Sequence, residues 1–182
     1  MTGMDDQGAS RRRALRLGLV GVAGLLAPVR RAAAADARSL ALRSLHTGEF
    51  VRTTYWAAGQ YMRDGLTEID RVLRDHRSNT VHPIDRRLLD VLGALRDRLE
   101  TREAFEVISG YRSPATNAHL VATARGVAPT SLHVVGMAVD LRVPGRPLAA
   151  VRDAAKALGA GGVGFYPDSN FVHVDVGRVR YW

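Results

Sequence analysis

Apolar residues recur with a helical period in two stretches of this chain and alternate with a strand period in several others. Leu66, Ile69, Val72 and Leu73 fall on one helix face, and after a turn at Ser78-Asn79 the series Leu88, Val91, Leu92, Leu95 and Leu99 repeats that spacing more strongly. Both helices read as scaffold. Before them, RSLALRSL from Arg38 is patterned as a strand and HTGEF marks a turn at Gly48. The stretch TTYWAAGQYM places Tyr55, Trp56 and Tyr61 at an edge of the core, since aromatic surface is costly to leave in water. After the helices, AFEVISGY predicts a strand ending at Gly110. Pro114 opens a short helix running through His119 to Arg125, and GVAPT is a loop. MAVDLRV then predicts a strand, Pro144 to Pro147 a turn and LAAVRDAAKAL a helix stopped by Gly159, followed by strands in GGVGFY and FVHVDV. Helices followed by strands, with one helix interrupting them, predict an α+β fold with a small antiparallel sheet packed against the earlier helices.

The first 35 residues are patterned differently and read as an export signal. Ser10-Arg11-Arg12-Arg13 precedes an apolar run from Ala14 to Val29, and Ala32 to Ala35 supplies small residues for cleavage before Asp36. The paired arginines point to the twin-arginine route. The run contains Arg16, three glycines and Pro28, and falls short of the roughly 20 apolar residues that span a bilayer. A cleaved signal is therefore expected rather than an anchor, with residues 36–182 forming one domain that has no stable membrane insertion.

Charge changes meaning once that segment is set aside. The full chain carries a net charge of +8, but six arginines and two aspartates lie in residues 1–35, so the remainder carries +4. Lys156 is its only lysine, and the basic balance does not read as a nucleic-acid patch. It suits an acidic polymer such as a cell wall. No cysteine is present, which excludes disulfides and thiolate metal sites. Any metal must be held by histidine and carboxylate.

That condition directs attention to SLHVVGMAVD, Ser131 to Asp140, and FVHVDVG, Phe171 to Gly177. His133, Asp140 and His173 are two imidazoles and one carboxylate, the three-ligand set with which catalytic zinc keeps a fourth position open. His133 and Asp140 stand seven apart with Gly136 between them, so His133 is expected on a loop, Gly136 in a turn and Asp140 on the following strand. His173 returns on a neighbouring strand. Asp175 lies two residues beyond it on the same face, placed to orient an imidazole, to ligate or to act as a base. The spacing does not choose among these.

These segments resemble the M15 family of zinc peptidases. SLHVVGMAVD is similar to that family's S-x-H-x-x-G-x-A-x-D signature, and GGVGFYPDSNFVHVDVG resembles the closing motif of its murein endopeptidase K-like branch. LHTGE at Leu45, RDHR at Arg74 and SGYRSPATN at Ser109 are further matches, and the resemblance covers the whole of residues 36–182. It implies an M15-type fold, zinc on His133, Asp140 and His173, and a substrate-binding or oxyanion-stabilising role for Arg112. That role suits a planar guanidinium fork. One departure stands out: several relatives place an acidic base three residues before the last histidine, where this chain has Asn170. Asp175 is then the first candidate for the base or for a partner of His173, and Asp168 the second.

The resemblance implies a zinc hydrolase of the cell envelope or periplasm acting on the peptide cross-links of peptidoglycan, including those between two diaminopimelate residues, and a monomer is expected. A carboxypeptidase trimming terminal D-Ala and a catalytically silent wall-binding module of the same fold are the rival readings. Asn170 is the feature that motivates the second.

Overall fold

The structure, a computed structural model, describes residues 36–124 and 128–182. The expected signal over residues 1–35 lies outside these, as do residues 125–127, where the helix opened by Pro114 was expected to end. No helix among the described residues is long and apolar enough to cross a membrane.

The fold is α+β. Strand β1 (Arg38–Ser44) turns at Gly48, φ 74°, into antiparallel β2 (Phe50–Ala57), and β3 (Gln60–Tyr61) adds a short edge. Helices α1 (Arg63–Val72) and α2 (Arg86–Arg98) follow, then β4 (Phe105–Ser109), α3 (Pro114–Thr123), β5 (Ala138–Arg142), α4 (Leu148–Leu158), β6 (Gly162–Tyr166), β7 (Phe171–Asp175) and β8 (Arg180–Tyr181). Among the described residues all eight strands join one sheet in the order β3-β2-β1-β4-β5-β7-β6-β8. The sheet is wider than the small one expected, and it is mixed, because β1 pairs parallel with β4 and β6 with β8. Periodicity locates strands but carries no information on which strands pair, and the two parallel junctions are long-range.

Local chemistry accounts for the helix ends. The Asp85 carboxylate accepts the Arg87 N–H to start α2, and Ser113 accepts the Thr116 N–H ahead of Pro114 to start α3. Gly159, at φ 60°, ends α4 in the left-handed conformation. Along α2 the buried stripe is Leu88, Leu89, Leu92 and Leu95, with Val91 only partly covered, so the inward face is rotated slightly from the expected one. Burying each of these leucines is worth about 1.5–3 kcal/mol. Tyr55 is fully buried beneath the helices, while Trp56 and Tyr61 sit at the core's margin.

The sheet divides apolar from polar positions around the C-terminal strands. Val139 and Leu141 of β5 and Val172 and Val174 of β7 are buried in the core together with Val151 and Ala155 of α4. Alternation sends Asp140, His173 and Asp175 to the opposite face. Asp140 and His173 are direct partners in the β5–β7 ladder, and a register shift between Val107 and Ser109 puts Ser109 beside Asp140.

Candidate metal centre

His133 is held by a short 3₁₀ turn, Leu132–Val135, whose start is capped by the Ser131 hydroxyl. Gly136 closes the turn at φ 69°, where a side chain would meet the Pro83 carbonyl at 2.5 Å. Glycine is required there on both counts. The His133 Nδ1 lies 2.7 Å from the Gly110 carbonyl. A carbonyl only accepts, so Nδ1 carries the proton and the Nε2 lone pair is left to face the site. Gly110 is itself hemmed in by the Leu73 carbonyl, which leaves no room for a Cβ.

Three donor atoms converge from these elements. Asp140 Oδ1 lies 2.8 Å from His173 Nδ1 and 3.4 Å from His133 Nε2, and the two imidazole nitrogens are 3.3 Å apart. Four ligands at 2.0–2.1 Å around a tetrahedral ion are separated by about 3.3–3.4 Å, so this triangle is close to one face of such a tetrahedron. All three residues are buried, and they form a group able to hold a metal ion. The donor set, two nitrogens and one oxygen, matches borderline-soft divalent ions such as zinc.

Asp175 stands behind the triangle. Its Oδ2 accepts from His173 Nε2 at 3.0 Å and from Arg180 Nη2 at 2.7 Å, while its Oδ1 accepts from the Gly162 and Gly177 amides at 2.9 Å each and from Arg180 Nη1 at 3.2 Å. Only 1% of Asp175 is exposed. Burial pushes its carboxyl up, but the donors from His173, Gly162, Arg180 and Gly177 outweigh that and hold it well below the usual carboxylate range. Burial likewise lowers the His173 imidazole, and hydrogen bonds to Asp140 and Asp175 reverse the balance, leaving it raised. Asp140 is pushed up by burial and drawn down further by His133 and His173, and is held below the usual range. A carboxylate gripping the far nitrogen of a ligating histidine fixes the ring's tautomer and angle.

Arg112 approaches from the other side. Its amide donates to the His133 carbonyl at 3.1 Å, and its guanidinium lies 3.8 Å from Asp140 Oδ2. Two weak bonds, to Asn117 Oδ1 and Ser109 Oγ at 3.3 Å, steady it, and its buried Nε–H has no partner among the described residues. Burial lowers its pKa against the charge of Asp140, and the guanidinium stays protonated throughout. The loop carrying it is tied to the end of α1. Asp75 Oδ2 accepts the Ser113 N–H at 2.9 Å and the Leu73 carbonyl accepts the Tyr111 N–H at 2.7 Å.

A cleft of about 310 Å³ opens over the donor atoms, with Arg112 and Ser131 toward one side and Tyr166, Phe171 and Trp182 toward the other. Among the described residues, Asp140 is the cleft's only carboxylate. Asp168 and Asn170 are exposed in the turn between β6 and β7 and do not line it. Asn170 has φ 53°, a left-handed conformation that asparagine tolerates better than most side chains, and its amide bonds to the Pro167 carbonyl. A larger groove of about 540 Å³, between β1 and the end of α2, shares no residue with the cleft.

The structure thus brings His133, Asp140, His173, Asp175 and Arg112 together and leaves Asp168 apart. Sequence reasoning missed Asp75, Gly110, Tyr166, Arg180 and Trp182. Asp75 and Gly110 lie within the quoted RDHR and SGYRS segments, but nothing in their spacing says what they touch. Trp182 and Arg180 reach the site only because β8 docks beside β6.

A family model described as Peptidase_M15_2, peptidoglycan L,D-endopeptidase MepK, matches residues 32–182. The chain is 41% identical over 182 residues to the peptidoglycan L,D-endopeptidase MepK of Escherichia coli, covering 98% of this chain and 100% of that one. The same figures hold for the protein of that name in Shigella flexneri. A probable peptidoglycan L,D-endopeptidase MepK of Haemophilus influenzae is 42% identical over 146 residues, 80% of this chain and 78% of that one.

Proposed function

This chain belongs to the M15 peptidase family of peptidoglycan L,D-endopeptidases, and from that premise we propose that it hydrolyses peptide cross-links of peptidoglycan in the cell envelope, with a zinc ion held by His133, Asp140 and His173. The observation that carries the reading is the convergence of His133 Nε2, Asp140 Oδ1 and His173 Nδ1 at 2.8–3.4 Å on the floor of an open cleft. When bound, the ion supplies a water acidified to a pKa of about 7 and polarises the scissile carbonyl.

The chain's own groups do the rest. The Gly110 carbonyl keeps His133 protonated on Nδ1, and Asp175 keeps His173 protonated on Nε2, so that each ring presents a lone pair to the same point. Arg112 offers a fixed positive fork beside that point, suited to a substrate carboxylate or to the oxygen on which charge develops. Asp175, buried and with both oxygens engaged, fits the role of orienting His173 rather than that of a base. Cross-links between two diaminopimelate residues are the proposed substrate, in keeping with the L,D specificity named for the relatives. The segment 1–35, with its paired arginines, is proposed to direct export by the twin-arginine route and to be removed near Asp36, leaving a monomer.

The test is mass spectrometry of fragments from purified sacculi incubated with zinc-loaded protein. Loss of cross-linked dimers with one new amine per bond is expected. Failure to release any amine under every metal condition would favour a silent wall-binding module, and release of terminal D-Ala alone would favour a carboxypeptidase.

A further inference from the structure

Tyr166 ends β6 and pairs across the ladder with Phe171, two residues before His173. Residues opposite one another in a ladder share a face, so Tyr166 stands on the metal-ligand face, one alternation beyond Gly164, which is itself opposite His173. The Trp182 indole occupies the space over Gly164, where a Cβ would come within 2.6 Å of its ring. The indole lies 5.3 Å from the His173 ring, centre to centre, and donates Nε1–H to the Tyr166 hydroxyl at 2.7 Å. The phenol ring is stacked on Phe171 at 4.6 Å with its plane tilted by 20°.

This arrangement decides which way the hydroxyl proton goes. An indole nitrogen can only donate, so the Tyr166 oxygen is the acceptor and its own O–H remains to donate elsewhere. Among the described residues that hydroxyl has no other partner. On the same cleft wall the Arg180 guanidinium is already committed to Asp175. The ligand strands β5 and β7 lie at the centre, with Arg112, following β4, on one flank and Tyr166 on β6 on the other. Resting on the hydrolase reading above, we propose that Tyr166 is a catalytic residue whose hydroxyl, locked by Trp182, donates a hydrogen bond to the scissile peptide group as it becomes tetrahedral, on the flank opposite Arg112.

Tyr166→Phe keeps the ring and its stack and removes only the donor. Two readouts are compared with wild type: kcat/KM on a purified cross-linked muropeptide dimer, and Kd for a phosphinate analogue of the cross-link by calorimetry. The expected result is a loss of about 100-fold in kcat/KM, carried by kcat, with a comparable loss of phosphinate affinity. Metal content and thermal midpoint should stay at wild-type values. Trp182→Phe, which keeps an aromatic wall but frees the hydroxyl, should give a smaller loss of about 10-fold. Both constants within about two-fold of wild type in Tyr166→Phe would overturn the proposal, as would a wild-type protein that does not bind the phosphinate. A wild type that binds the phosphinate but leaves the dimer intact would refute the substrate reading, while the ratio of phosphinate affinities would still decide Tyr166.

Discussion

Two oxygens of Asp175 accept five hydrogen bonds, and one of those donors is the far nitrogen of His173. Asparagine at this position has one oxygen where the carboxylate has two, and its NH₂ would face either His173 and Arg180 or the backbone amides, all of which are donors. We expect Asp175→Asn to weaken metal affinity by about 10- to 100-fold, the usual cost of losing such a partner, with turnover restored by added zinc. Competition with a chromophoric chelator measures the first and activity at saturating metal the second. Normal metal affinity with activity abolished would instead make Asp175 the base. His173 and Asp175 were placed on one face by strand alternation alone. Which role Asp175 takes depends on Arg180, Gly162 and Gly177, contacts that no local pattern announces.

At the scale of elements, the link between the end of α1 and the loop before α3 positions Arg112. Asp75, only 1% exposed, accepts the amides of Ser113 and Arg77 and anchors this link. Burial pushes its carboxyl up, but hydrogen bonds from Ser113, Thr116 and Arg77 prevail and hold it below the usual range. With the folded pKa below the unfolded value of about 3.9, its stabilisation is fully present above that value and disappears as pH falls through the folded one. Asp75→Asn should therefore destabilise the protein at neutral pH by about 1.5–3 kcal/mol. It should also flatten the acid limb of stability below about pH 4, as measured by urea unfolding at a series of pH values. If Asp75 serves to place Arg112, this variant should share the turnover defect of Arg112→Lys, in which a point charge replaces the fork. Wild-type turnover in both would reduce the link to scaffolding.

For the whole molecule, a site assembled from the 3₁₀ turn at Leu132–Val135, β5 and β7 exists only in the folded state, so metal binding and folding are coupled. A metal at 100 times its Kd adds about 2.7 kcal/mol, which for a domain of this size raises the thermal midpoint by about 5–10 °C. Differential scanning fluorimetry with zinc and then with excess chelator should show that shift and its reversal. A His133→Ala, His173→Ala double variant should show neither, and a full zinc shift in it would remove those residues from the centre.

Much of this was legible in the chain itself. Helical spacing located α1 and α2, alternation located β5 and β7, and the absence of cysteine restricted any metal site to the histidines and carboxylates that the structure brings together. These are local properties, set by the 3.6- and 2-residue periods and by the chemistry of single side chains. Tertiary structure decided what depends on pairing across long separations. The parallel junctions of β1 with β4 and β6 with β8 made one wide mixed sheet, a register shift in β4 set Ser109 beside Asp140, and β8 carried Trp182 over His173. Strand partners are chosen by the packing of the whole core, so the side chains that surround the donor atoms become neighbours only when that core closes.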